Sequence, residues 1–213
     1  MTKKRIFIFL SLLIIYALYC AMQLGQTYDI LFHYELGKDR LNYLLSLGAN
    51  EISWSNFIQR YYSGAYNTIS AFLAQFFPRE FIYPYSLYAI NLTFGFFAVF
   101  GISKIAKELF NREIGQITFL FCFFNPIFFG HIAMNSLDTI IAFANVWFFY
   151  TVLRYLKNQK KNNYVLLAAL LLGIGQGTRV GFLITLTPIL FLLILEIFYF
   201  KIFFRKNFSK KIF

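Results

Sequence analysis

Long apolar runs, each closed by a short cluster of Lys and Arg, recur along this chain of 213 residues. That pattern restricts the fold more than any single motif does. A helix needs ~20 mostly apolar residues to cross the ~30 Å hydrocarbon layer of a bilayer. Runs approaching that length begin near residues 6, 85, 114, 138, 164 and 182. They do not alternate apolar and polar residues, which excludes the pattern of a transmembrane β-barrel. With 30 Phe and 15 Tyr in a chain that is 59% hydrophobic, there is more apolar surface than an ordinary soluble domain buries. The expected architecture is therefore all-α and polytopic. It has one transmembrane domain over 1–213, with about six transmembrane helices at 6–25, 85–103, 114–128, 138–154, 164–177 and 182–200.

Two boundaries need argument. Thr2-Lys3-Lys4-Arg5 precedes the first run, as in a signal peptide, but the run exceeds a signal-peptide core and no clean cleavage pattern follows. It reads as a retained helix. Residues 164–200 are too long for one straight crossing, and Gly173, Gly175, Gly177 and Arg179 are poor material for the middle of a bilayer. A turn at Thr178–Gly181 divides that stretch. Residues 26–83 form an outer loop whose Trp54, Tyr61, Tyr62 and Tyr66 suit a membrane interface. Its segments 30–47 and 66–77 have helical periodicity, and they are expected as short interfacial helices on the surface.

Charge orients the layout. The net charge of +11 comes from Lys and Arg at helix ends rather than on one soluble face, which argues against nucleic acid and for contact with anionic lipid. With both termini cytoplasmic, the inner loops hold all but five of the 20 basic residues. Lys38, Arg40, Arg60, Arg79 and Arg179 remain outside, as the positive-inside rule expects. Cys20 and Cys122 lie within apolar runs and offer neither a disulfide framework nor zinc spacing. Asn91-Leu92-Thr93 and Asn207-Phe208-Ser209 match the glycosylation pattern, yet one falls in a span and the other on the inner side.

This topology gathers the chain's unusual polar residues at one end. Asp29 follows the first span, Asp138 opens the fourth, and Arg179 ends the fifth. Asp29 and His33 are spaced to share a helical face, as are His131, Asn135 and Asp138 if that segment is one helix. Ionisable groups at membrane depth usually face a cavity or a partner. Two carboxylates with imidazoles nearby suit a divalent metal ion or a general base, and an Arg suits a phosphate. Plainer roles compete: Asp138 as a helix cap, Arg179 extended toward lipid headgroups, and the two His as hydrogen-bonded interfacial residues.

Several short motifs then occur in a telling order. They are Asp29 with His33-Tyr34, Tyr62-Ser63-Gly64, Lys107-Glu108-Leu109-Phe110-Asn111, Asn125-Pro126, Phe129-Gly130-His131, Asn135-Ser136-Leu137-Asp138 and Gly177-Thr178-Arg179. Together they resemble the amino-terminal half of polyprenyl-phosphate-dependent membrane glycosyltransferases of the GT-C fold, in the family-39 and aminoarabinose-transferase group. The resemblance implies hexosyl or pentosyl transfer from a polyprenyl-phosphate-linked sugar to an acceptor hydroxyl, on the periplasmic face of a bacterial inner membrane. It implies Asp29 and Asp138 as catalytic carboxylates, and His33, Glu35, Asn135 and Arg179 as substrate-binding residues, with Arg179 on the donor-phosphate side. A metal ion would fall to Asp138 and His131. Two departures stand out. Asp29 is followed by Ile30 where the family often has a second acid, so Glu35 is the next carboxylate. Such enzymes also carry more helices, so the chain is expected to be incomplete at its carboxyl end, or to need a partner chain that supplies the missing helices. The competing readings are a transporter or flippase-like subunit, although no repeat relates 1–100 to 101–213, and an inactive truncated remnant.

Overall fold

The computed structural model describes residues 3–25, 27–50, 52, 64–78 and 84–200. The described residues are helical with no strand: α1 (Lys3–Met22), α2 (Tyr28–Leu45), α3 (Ala65–Ala74), α4 (Tyr85–Leu109), α5 (Arg112–Phe123), α6 (Pro126–His131), α7 (Ser136–Lys157), α8 (Asn163–Thr178), α9 (Phe182–Thr185) and α10 (Thr187–Leu195), then a π turn at Glu196–Phe200.

Asparagines punctuate the apolar sequence. Each accepts a bond from a backbone N–H that the first helical turn leaves without an intrahelical acceptor. Asn111 Oδ1 accepts from Ile114 N at 2.9 Å and starts α5. Asn125 Oδ1 accepts from Phe128 N at 3.0 Å and, with Pro126 behind it, starts α6. Asn135 does the same for α7 through Asp138 N at 3.2 Å.

These breaks change the expected layout. Among the described residues, two helices are long and apolar enough to cross a membrane, α4 and α7; Ile8–Met22, Asn163–Thr178 and Thr187–Tyr199 are shorter apolar stretches. The span expected at 114–128 is cut by Asn125-Pro126 into α5 and α6. At 12 residues α5 is only ~18 Å long, well short of the hydrocarbon thickness. The gap expected between the spans 85–103 and 114–128 contracts to Phe110-Asn111, because α4 continues through Lys104, Lys107 and Glu108. The helix expected at 66–77 is α3, and it keeps one face outward, with Ile69 and Phe72 exposed. Tyr66, Asn67, Ser70, Ala71 and Ala74 are buried where α3 packs against α2, α4 and α8.

α4 is the axis of the bundle and touches α1, α3, α5 and α7. It runs parallel to α7 because α5 and α6 carry the chain back between them. Small residues let the two helices approach. A side chain at Gly95 would run into Ile132 and Thr139, and one at Gly101 into Val146 and Trp147. Trp147 Nε1 donates to the Phe97 carbonyl at 3.0 Å. Against the opposite side of α4, Phe96, Phe119 and Phe123 form an aromatic knot, with Phe119 and Phe123 stacked at 5.9 Å. At the far end, Glu108 accepts from Arg154 Nη1 at 2.7 Å and Lys157 Nζ at 2.9 Å, locking α4 to α7.

Candidate functional site

The Tyr85 end of α4 acts as a frame for the loops. Tyr88 and Asn91 are three residues apart, one turn of helix, and both are fully buried. Tyr88 donates its hydroxyl proton to the Gly25 carbonyl at 2.7 Å, fixing the segment that follows α1. Asn91 Nδ2 donates to the Ala133 carbonyl at 2.8 Å, fixing the turn between α6 and α7. Asn91 Oδ1 accepts from the Tyr66 hydroxyl of α3. Burial pushes the Tyr66 phenol far above its ordinary pKa, so it stays protonated as the donor. Thr139 Oγ1 adds a bond to the Ile132 carbonyl at 3.2 Å. Two loops and α3, remote in sequence, are thereby held at one end of one helix.

The held turn delivers Asn135, and Asn135 delivers Asp138. The two form a reciprocal cap: Asn135 Oδ1 accepts from Asp138 N, while Asn135 Nδ2 donates to Asp138 Oδ2 at 2.9 Å. The cap residue is thus Asn135, and Asp138 sits three residues into α7. The other carboxylate oxygen, Oδ1, accepts from Arg179 Nη1 at 2.8 Å. Arg179 is brought there by the end of α8. Its neighbour Gly177 lies against Ala65 at the start of α3, so close that a side chain at 177 would overlap it. Arg40 of α2 lies against Gly64 next door and adds a second guanidinium to this end of the bundle. Burial lowers its pKa, from a starting value so high that it remains charged.

Of the residues singled out in the sequence, Asp138, Asn135 and Arg179 therefore converge. His131, His33 and Glu35 do not join them. His131 ends α6, and the turn through Ile132–Met134 separates it from α7, so His131, Asn135 and Asp138 do not share one helical face. Asn125-Pro126 and Asn135 each restart the helix, which is why that spacing misleads. His33 faces α3, its Nδ1 at 3.2 Å from Asn67 Nδ2. An Nδ1 that accepts from the amide leaves the proton on Nε2. Glu35 pairs with Lys38 on the exposed side of α2 at 3.5 Å. Asp29 is in the first turn of α2, and its side chain lies outside the described residues. Its neighbour Ile30 is buried in the same core cluster as Ile132 and Ala133, which puts this part of α2 at the Asp138 end.

Among the described residues, Asp138 and His131 do not form a ready divalent-ion site. Both oxygens of Asp138 already accept from N–H donors, and His131 lies on a different helix. Among the described residues no three His, Cys, Asp or Glu side chains gather around a common point. What the site offers is a carboxylate and a guanidinium held side by side, 58% and 57% exposed. An exposed pair of this kind stabilises a fold by only ~0–1 kcal/mol. Its partners can be exchanged for ligand groups at little cost.

Sequence reasoning passed over Asn67, and gave Tyr66 and Asn91 no part in the site. Asn91 had a signal: a carboxamide inside a long apolar run needs a polar partner. Asn145 carries the same signal, and its Nδ2 donates to Thr185 Oγ1 at 2.9 Å, tying α7 to α9.

No curated protein and no solved structure matches the chain. A family pattern does match, over residues 84–209. That range begins at α4, takes in Asn91, Asn135, Asp138 and Arg179, and leaves Asp29, His33 and Glu35 ahead of it. The match extends over more than half of the chain, which belongs to the dolichyl-phosphate-mannose-protein mannosyltransferase family, a GT-C family of membrane glycosyltransferases.

Proposed function

We propose that the chain moves a sugar from a polyprenyl-phosphate donor to an acceptor hydroxyl, on the periplasmic face of a bacterial inner membrane. One observation carries this reading: Asp138 and Arg179 meet at the end of α4 where Tyr88 and Asn91 hold the loops. The orientation that leaves most Lys and Arg cytoplasmic puts this end outside.

The reaction exchanges one bond at the sugar's anomeric carbon. The acceptor oxygen forms the new bond, the bond to the phosphate oxygen breaks, and its electron pair leaves with the polyprenyl phosphate. The acceptor's proton must go to a base, and Asp29 is the carboxylate assigned to it, in the first turn of α2 shortly after the segment held through Gly25. Arg179 would turn from Asp138 to the departing phosphate, where a fixed guanidinium offsets the growing charge. Asp138, freed on that side and still held by Asn135, would accept from an acceptor hydroxyl and orient it. No step requires a metal.

The test is transfer in vitro from a radiolabelled polyprenyl-phosphate sugar by the purified chain. Asp29→Asn should lower the rate ~10²–10⁴-fold, the usual contribution of a general base. Arg179→Gln should raise the donor KM and lower kcat. Chelation of divalent ions should leave the rate within about two-fold, because both Asp138 oxygens are already engaged. Unchanged rates in Asp29→Asn and Asp138→Asn would remove these residues from the mechanism.

A further inference from the structure

At the end of the bundle away from Asp138 and Arg179, α1, α4 and α5 enclose a groove of about 710 Å³. That volume lies within the ~300–1,000 Å³ range of small-ligand sites. Phe9 of α1, Phe97 and Phe100 of α4, and Phe119 and Leu120 of α5 line its apolar length. α4 and α5 run antiparallel here, since Ser103 Oγ donates to the Gly115 carbonyl at 2.8 Å while Phe96 meets Phe119. Both helices change character at the same end of the groove. There the lining becomes Ser103, Arg112, Glu113 and Gln116.

Cations surround that mouth. Arg112 lines it directly. Lys104 Nζ is seated 5.0 Å over the ring of Phe100, itself a wall residue. Lys107 backs onto Gly115, one residue from Gln116. Glu113 is the one acid lining the mouth among the described residues, because Glu108 is turned into Arg154 and Lys157. A long apolar throat ending in an excess of positive charge is complementary to an amphiphile with a hydrocarbon tail and an anionic head.

We infer that this groove binds an anionic phospholipid, with an acyl chain along the Phe-lined walls and the phosphate diester at Arg112 and Lys104. Basic pockets between membrane helices on the cytoplasmic side hold such headgroups, and each Lys or Arg near the anionic surface contributes about five-fold in affinity. This is not the sugar donor's site. Lys104 lies 13 residues beyond Asn91 on α4, ~20 Å along the helix and toward the opposite leaflet. A purely apolar occupant, such as a neighbouring helix, would leave the cations at the mouth uncompensated. The inference does not rest on the transfer reaction.

The experiment is native mass spectrometry of the full chain after exchange with an equimolar mixture of dioleoyl phosphatidylglycerol and dioleoyl phosphatidylcholine. The wild type should retain the glycerol lipid at least ten-fold over the choline lipid. Lys104→Ala/Arg112→Ala, at positions outside the core, should bring the ratio close to one. Leu120→Trp, which fills the groove, should lower retention of both lipids. Lys160→Ala/Lys161→Ala, on the loop between α7 and α8, should leave the ratio unchanged. Equal retention of the two lipids by the wild type, an unchanged ratio in the Lys104/Arg112 variant, or an equal drop in the Lys160/Lys161 variant would each overturn the proposal.

Discussion

Asn91 does more for the site than its chemistry suggests. It touches no candidate reacting group, yet it holds Ala133, and two residues later the chain reaches Asn135 and the Asp138 cap. Replacing it by Ala strands the Ala133 carbonyl and the Tyr66 hydroxyl, both buried, at ~1–3 kcal/mol for an unsatisfied group. The turn would then relax, and a displacement of ~1 Å at a reacting group costs ~10²-fold in rate. We expect Asn91→Ala to lower kcat by ~10–100-fold with little change in donor KM, since Arg179 comes from α8. Tyr66→Phe, which keeps the Ala133 bond, should lose much less. Full kcat in the folded fraction of Asn91→Ala would reduce Asn91 to a purely structural role. In the sequence, Asp138 and Arg179 were legible because charge is rare in such a chain. Asn91 announced only that it needs a polar partner; its role was not legible, because that partner is a backbone carbonyl 42 residues away.

Element breaks were easier to see than element depth. Asn125-Pro126 and the glycines before Arg179 mark helix ends by their own backbone preferences, and α5 and α8 do end there. The same preferences say nothing about what a helix packs against. Segment 66–77 has the pattern of a surface helix, and α3 keeps Ile69 and Phe72 exposed while its inner face packs against α2, α4 and α8. Gly37 is what admits it: any side chain there would overlap the Asn67 carbonyl, a backbone atom with no rotamer to yield. Gly37→Ala should therefore destabilise the protein by ~1–3 kcal/mol, the usual cost of overpacking. It should also disturb the His33–Asn67 contact one turn away. Gly173→Ala is the matched control. It lies inside α8 with nothing within 4 Å of the added carbon, and should stabilise by ~0.5–1 kcal/mol. Thermal unfolding in detergent measures both. A Gly37→Ala midpoint at or above the wild-type value would mean that α3 can shift away from α2 without loss.

At the scale of the whole molecule, the two ends of the bundle differ in charge. At the Leu109 end, Glu108 is clamped by Arg154 and Lys157 while Lys104, Lys107, Lys160 and Lys161 stand nearby in sequence. At the Tyr85 end, Asp138 and Arg179 balance each other. Anionic lipid and the membrane potential would both favour a cytoplasmic Leu109 end. Because α4 and α7 are parallel and joined through α5 and α6, the orientation of either fixes the other. Cysteine accessibility tests this directly. In a chain with Cys20 and Cys122 replaced by Ala, Lys38→Cys on exposed α2 should react with a membrane-impermeant maleimide in intact spheroplasts. Lys160→Cys should react only after the membrane is opened. The reverse pattern would put the Asp138–Arg179 pair in the cytoplasm. The acceptor would then have to be a cytoplasmic one, and the groove at Lys104 would draw its lipid from the outer leaflet. One labelling experiment thus fixes the side on which both sites work, without depending on the activity of either.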